Sequence, residues 1–181
     1  QLELAHLLNQ PTISHTLFLP NQFKSVSSST IDWYSSNPDI IDSQGHFSKP
    51  ISNEVVTLSA LIVLHNYFHV IDFDLQTIGM TYSEKVQLVV GGFGDIHFEE
   101  LNTTIDLPTV SNYTTYTNGI DLGITNITYT LDTALYPFLQ LPTAHQIRII
   151  DFTEFEFATL RMNVTFGSSG TYFGTMNISI F

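Results

Sequence analysis

The stretch ATLRMNVTFGSSGTYFGTMNISIF, residues Ala158–Phe181, decides the fold class. Ala158, Leu160, Met162, Val164 and Phe166 alternate with Thr159, Arg161, Asn163 and Thr165, the period of two shown by a strand with one buried face. Gly167-Ser168-Ser169-Gly170 supplies turn chemistry. Tyr172, Gly174, Met176, Ile178 and Ile180 then alternate with Phe173, Thr175, Asn177 and Ser179. Residues 147–181 therefore read as one long β-hairpin. The given sequence stops within a strand, so an edge carrying Tyr172, Met176, Ile178 and Ile180 is a candidate acceptor for a further strand.

Upstream of the hairpin the same chemistry recurs. The 181 residues are 43% hydrophobic but only 12% charged, about half the charge usual for a soluble domain. Polarity comes from Ser, Asn and 22 threonines, and Thr with Val, Ile, Tyr and Phe favours strands. Residues 54–64 are apolar on both faces and read as a strand buried between layers. Residues 67–82 begin with Ile71, Phe73 and Leu75 inward and then switch face near Gln76 and Thr77, as at a bulge. Ser83-Glu84 reads as a tight turn, followed by a long strand with Val86, Leu88, Val90, Ile96 and Phe98 inward that bends at Gly91, Gly92 and Gly94. Asn118-Gly119 is the strongest hairpin signal, opening a strand over 120–131, and residues 136–142 read as a loop. The expectation is an all-β protein of seven or eight strands with no helix, an antiparallel β-sandwich or jelly-roll-like domain of Ig- or pilin-like type.

The N-terminal third differs. Residues 1–20 form an apolar arm in which Ile13, His15, Leu17 and Leu19 alternate as a candidate donor strand. Residues 21–53 are rich in Ser, Asn, Asp, Gly and Pro, and read as a loop-rich connection that either wraps the body or separates the arm from it. Residues 54–181 are the β-sandwich body.

Five Lys and Arg against seventeen Asp and Glu give a net charge of −12, which repels a nucleic-acid backbone and an anionic lipid surface alike. No run of 18 apolar residues is present to span a membrane. Gln1 in place of methionine reads as a processed product. With no cysteine, disulfides, thiolate metal sites and cysteine nucleophiles are absent together. Five Asn-x-Ser/Thr sequons, at Asn102, Asn112, Asn126, Asn163 and Asn177, all fall on polar faces or turns where N-linked glycans would leave a core undisturbed. They favour an extracellular or cell-surface location.

Candidate sites resolve mainly into structural roles. His65 and His69 stand four apart but straddle a strand junction rather than share a helix face, so no metal is expected there. Asp95, His97 and Glu99 alternate as the solvated face of a strand. Asp72 and Asp74, with Glu154 and Glu156, are the carboxylates that a glycosidase-like pair would need, yet acidic residues opposite Ile71 and Phe73 are what a strand's outer face shows. Gly91-Gly92-Phe93-Gly94 lacks the Lys and Ser/Thr of a phosphate loop, and residues 25–29 are a Ser-rich loop without a nucleophile elbow. Neither an enzymatic activity nor a cofactor is expected.

The layout of apolar arm, connecting loop and β body resembles donor-strand pilins and the glycosylated thread filaments of archaeal cell surfaces. The resemblance implies an extracellular structural subunit for adhesion or biofilm formation. Copies of the chain would be linked head to tail, with Ile13, His15, Leu17 and Leu19 donated to a neighbour. The alternative is that the arm folds back as a strand of its own domain. Residues 73–106, with Met80-x-Tyr82, Gly92-x-Gly94 and Glu100-Leu101-Asn102, are also similar to the long-strand part of takeout and juvenile-hormone-binding proteins, which implies a secreted lipid or hormone carrier, although that family's cysteine pair and long helix are missing here. A viral capsid jelly roll is a third possibility, disfavoured by the lack of a basic arm.

Overall fold

The computed structural model describes Leu4, Leu7 and residues 12–100, 103–116, 121–151 and 156–181, with side chains 114–116 left aside. The fold is all-β in class, with ten strands, two α-helices and a 3-10 turn at Gly167–Ser169 as its named elements. It divides into two compact units, Gln1–Met80 and Thr81–Phe181. The boundary expected at residue 54 thus falls inside the first unit.

The first unit is built on one antiparallel sheet of β1 (Ser29–Ser35), β2 (Glu54–Leu64) and β3 (Tyr67–Thr77), in that order. Strand β1 lies within the segment read as a loop-rich connection: Ile31 and Trp33 alternate with Thr30, Asp32 and Tyr34, and all seven residues pair with β2 from Ser29↔Leu64 to Ser35↔Leu58. Ile31, Trp33, Val56, Leu58, Ala60, Phe73 and Leu75 put one face of the sheet into a core that Leu4, Leu7, Ile13, Leu17, Ile40 and Ile41 complete. Cover therefore comes from the arm and the 37–48 loop. Trp33 packs on Phe73 with ring centroids 5.8 Å apart and donates its indole N–H to Pro20 O at 2.8 Å. In the loop, Asp42 Oδ1 accepts the amides of Gln44 and His46, and the His46 ring beside Oδ2 at 2.8 Å holds the Asp42 carboxyl below its usual range. Gly45, at φ +87°, lies against Leu17 O and closes the loop onto the arm; its carbonyl accepts the Leu17 amide at 2.8 Å.

The second unit holds a four-stranded sheet, β4 (Ile96–Phe98), β10 (Thr171–Ile180), β9 (Glu156–Thr165) and β6 (Asn126–Thr130), and a three-stranded sheet, β5 (Thr104–Asp106), β8 (Gln146–Ile149) and β7 (Leu139–Thr143). The expected terminal hairpin is present as β9 and β10, paired from Thr171↔Thr165 to Ile180↔Glu156 around the Gly167–Gly170 turn. It starts at Glu156, because Gln146–Ile149 pairs instead with β7 and β5. Strand β7 occupies the stretch read as a loop; its pairing with β8 shifts between Gln140 and Thr143, where Pro142 has no N–H to give a ladder.

Two helices correct the expectation of none. Helix α1 (Tyr82–Phe93) replaces the supposed turn and bent strand. Thr81 caps it: the Glu84 amide donates to Thr81 Oγ1 and the Thr81 amide to Glu84 Oε2, a reciprocal capping box. Val86 and Val89, three apart, are buried, and Gly94, at φ +75°, ends the helix. Helix α2 (Val110–Tyr116) follows Thr109, which donates to Asn112 Oδ1 through both its amide and its hydroxyl. The Asn118-Gly119 turn signal lies outside the described residues.

Helix α1 packs on β10 where the strand carries glycine. A Cβ at Gly174 would lie 2.6 Å from Val90 Cγ2 and 2.9 Å from Val86 Cγ1. Tyr82 closes the end of this layer against Phe166 and Tyr172, with ring centroids 5.0 and 4.8 Å away. Tyr129 on β6 reaches toward the smaller sheet, donating its hydroxyl to Pro108 O at 2.7 Å and meeting the His145 ring edge-on, and burial raises its phenol pKa well above the ordinary value.

Replacing Gly174 by Val should cost about 1–3 kcal/mol in urea unfolding, because α1 must lift off the sheet; an unchanged midpoint would show that α1 does not pack there. Ile13→Ala should cost roughly 2–4 kcal/mol in the unfolding of residues 1–80 if the arm completes that core in the same molecule.

Candidate functional site

Pairing of β9 with β10 places Thr159 opposite Asn177, Arg161 opposite Thr175 and Asn163 opposite Phe173, all on the face away from the buried Leu160, Met162 and Met176. Thr130 of β6 extends the Arg161 row. The face is mainly polar, but Phe157 and Phe173 stand on it 67% and 61% exposed. The Arg161 guanidinium carbon sits 3.8 Å from the Phe173 ring centroid. Among the described residues no carboxylate lies within ion-pair distance of Arg161.

A tight loop over residues 131–136 folds onto this face. Asp132 Oδ1 accepts the amides of Ala134 and Leu135 at 3.1 Å, and the Asp132 carbonyl accepts that of Tyr136 at 2.8 Å. The turn brings the Tyr136 hydroxyl within 3.2 Å of Thr159 Oγ1. On one side of this contact a concavity of about 480 Å³ is bounded by Thr130, Asp132, Leu135, Arg161 and Phe173. On the other, a concavity of about 410 Å³ is bounded by Asp95, Phe157, Asn177 and Ser179. Tyr136 and Thr159 line both. Asn177 Nδ2 donates to Asp95 Oδ1 at 3.2 Å and fixes the carboxylate at the rim. The sequence showed Arg161 and Phe173 as outward residues of a hairpin, while Phe157 lies just before the stretch whose alternation was read; nothing signalled that residues 131–136 would fold over them.

The expected donor and acceptor residues fall as follows. Ile13 and Leu17 are buried in the first unit, Leu19 is half-buried and His15 is exposed. Only Ile13 makes a bridge, parallel to Thr77: its amide donates to Gln76 O at 2.6 Å and its carbonyl accepts the Ile78 amide at 3.1 Å. Met176, Ile178 and Ile180 are buried and Tyr172 is half-buried. Strand β9 flanks the terminal strand from Thr171 to Ile180, and on the other side β4 pairs in parallel with Ile178–Ile180, so those three residues of the expected acceptor edge already have a partner strand. The outer strands of that sheet are β4 and β6.

Of the remaining candidates, His65 takes φ +56° in the two-residue loop of the β2–β3 hairpin, and His69 is exposed on β3. Among the described residues no group of three His, Cys, Asp or Glu is placed to hold a metal ion. Asp72 and Asp74 accept the cross-strand hydroxyls of Ser59 and Thr57 at 2.6 and 2.7 Å. Glu156 opens β9 in the second unit, and Glu154 lies outside the described residues. His97 is exposed on β4 beside the Phe181 ring. Gly91, Gly92 and Phe93 end α1 and Gly94 caps it, while Ser29 turns the 23–29 loop by donating to Val26 O and accepting the Phe23 amide. Asn126 and Asn177 are exposed, as is Asn112 on α2; Asn163 is half-buried with its amide 3.5 Å from Thr130 Oγ1; Asn102 lies outside the described residues. No described helix is long and apolar enough to cross a membrane.

Residues 6–79 match the family model of the atrophied bacterial Ig domain, a span close to the first compact unit. No curated protein is matched. Among solved structures, human CDH23 EC21-23 is 12% identical with a TM-score of 0.29, over 83% of this chain and 57% of that one. The cadherin-like domains 1 to 4 of zebrafish RET are 10% identical with a TM-score of 0.33, over 94% of this chain and 43% of that one. The chain thus spans about half the length of these two structures, and at TM-scores below 0.5 the likeness does not fix even the fold. The fold class expected from the sequence, an all-β sandwich of Ig-like type, is the class of the structure, with the Ig-like match confined to residues 6–79.

Proposed function

We propose that this chain is a structural, adhesion-type part of an extracellular or cell-surface protein, with the Ig-like first unit as a spacer module rather than an enzyme domain. The observation that carries this reading is the match of residues 6–79 to the atrophied bacterial Ig domain, since Ig-like sandwiches recur in cell-surface proteins as modules that position other sites. The sequons at Asn112, Asn126 and Asn177 agree with it, since these three side chains are exposed.

Assembly by strand donation is a second reading, favoured by one feature of the first unit. Strand β3 is an outer strand of its sheet, and among the described residues its outward backbone groups meet the arm only around Thr77, which leaves the edge from Tyr67 to Leu75 as the place where a strand from another copy would pair. In that arrangement the arm would move from its own unit to a neighbour's, giving head-to-tail polymers.

Labelling of intact source cells with a membrane-impermeant amine reagent, followed by peptide mapping, should modify Lys24; protection until lysis would overturn the surface location. Negative-stain microscopy of the native protein separates the two readings. Uniform filaments lost on deletion of residues 1–20 are expected for strand donation, whereas monomers whose first unit unfolds on that deletion would leave only the spacer role.

A further inference from the structure

We propose that the groove on the outer face of β9 and β10 binds a neutral oligosaccharide of at least two pyranose rings, one in each of the concavities that Tyr136 divides. The argument stands on the second unit alone and does not depend on the Ig-like match of the first.

A pyranose ring presents an apolar C–H face and a rim of hydroxyls that both donate and accept hydrogen bonds. A site for it needs exposed aromatic planes with donors and acceptors beside them. The first concavity offers Tyr136 and Phe173 as aromatic surfaces, the latter already carrying the Arg161 guanidinium, with Arg161 as a charged donor and Asp132 as an acceptor, its Oδ1 held by the loop amides and its Oδ2 without a hydrogen bond among the described residues. The second offers Phe157 and the other side of Tyr136 as planes, with Asp95 and Asn177 as polar groups. Threonine hydroxyls of Thr130, Thr159 and Thr175 line the floor. Aromatic side chains lose little conformational freedom on contact, and the Arg161 guanidinium already lies over Phe173, so the groove is largely preformed. Its volumes fall within the range of small-molecule sites.

The same groups argue against other ligands. An anion needs donors only, and would meet Asp95 and Asp132 within a chain of net charge −12. A lipid tail would leave these carboxylates and Arg161 unsolvated without partners. A hydroxyl both donates and accepts, and so can use both signs of charge at once.

The pyranose can come from a separate oligosaccharide or from a glycan attached at Asn177, which itself lines the second concavity. In one arm of the test, the ¹⁵N-labelled full chain, made without glycosylation, is titrated with chitotetraose, cellotetraose, mannotetraose and tetragalacturonate to about 10 mM. A neutral sugar should shift the amides of Thr130, Tyr136, Thr159 and Arg161. Phe173→Ser should weaken that binding roughly tenfold, while Phe18→Ser in the first unit leaves it unchanged. In the other arm, native material is mapped for a glycan at Asn177. Such a glycan should raise the melting temperature by an amount that Phe157→Ser abolishes. Either result supports the site and names the source. The proposal is overturned if no neutral sugar shifts the groove amides and no Asn177 glycan has a Phe157-dependent effect, or if tetragalacturonate binds more tightly than the neutral sugars.

Discussion

A β-sheet saturates the hydrogen bonds between its strands but leaves one apolar face that must be covered, and both units of this chain are organised by how they meet that need. In the first, the sheet of β1, β2 and β3 buries Ile31, Trp33, Leu58 and Phe73 against a layer made largely of irregular chain. The arm contributes Ile13 and Leu17, and the 37–48 loop contributes Ile40 and Ile41. Irregular backbone can serve as a layer only if its own polar groups are paired. The bridge of Ile13 to Thr77, the bond between Leu17 and Gly45 and the Asp42 turn meet that condition.

In the second unit the cover is partly helical. Helix α1 lies on β10 because Gly174 leaves room for Val86 and Val90. With the inner face closed in this way, the outer face of β9 and β10 is free to carry Phe157, Phe173 and Arg161 in the open. Exposed aromatics cost solubility unless something uses them. Their arrangement around Tyr136, with carboxylates on both sides, is what distinguishes this face from a merely solvated one.

The terminal hairpin was legible residue by residue, since Leu160, Met162 and Val164 on one strand and Met176, Ile178 and Ile180 on the other are buried as their alternation requires. Helix α1 was not, for an identifiable reason. Val86, Leu88 and Val90 satisfy a period of two as well as Val86, Val89, Val90 and Phe93 satisfy a helix, and β-branched valine tips the choice toward a strand. The capping box of Thr81 and Glu84 was the local signal that the reading of a turn at Ser83-Glu84 passed over. Strand β1 was obscured by the Ser- and Asn-rich residues around it, although the alternation of Ile31 and Trp33 was present. Of the groove, Phe173 and Arg161 could be read as outward residues of the hairpin, but not the loop that walls it.

By itself the sequence determined the all-β class, the inner and outer faces of β9 and β10, the turn at Gly167–Gly170 and the strongly acidic charge. These follow from short-range regularities: a pleat of period two, turn residues with allowed backbone angles, and a count of ionisable groups. Tertiary structure alone decided that the arm covers the sheet of β1, β2 and β3, that β4 pairs with the terminal strand, and that Tyr136 stands over Thr159. Each of these joins residues far apart in the chain, and such contacts are chosen by which surfaces remain to be buried once the local elements have formed. No window of sequence contains that information.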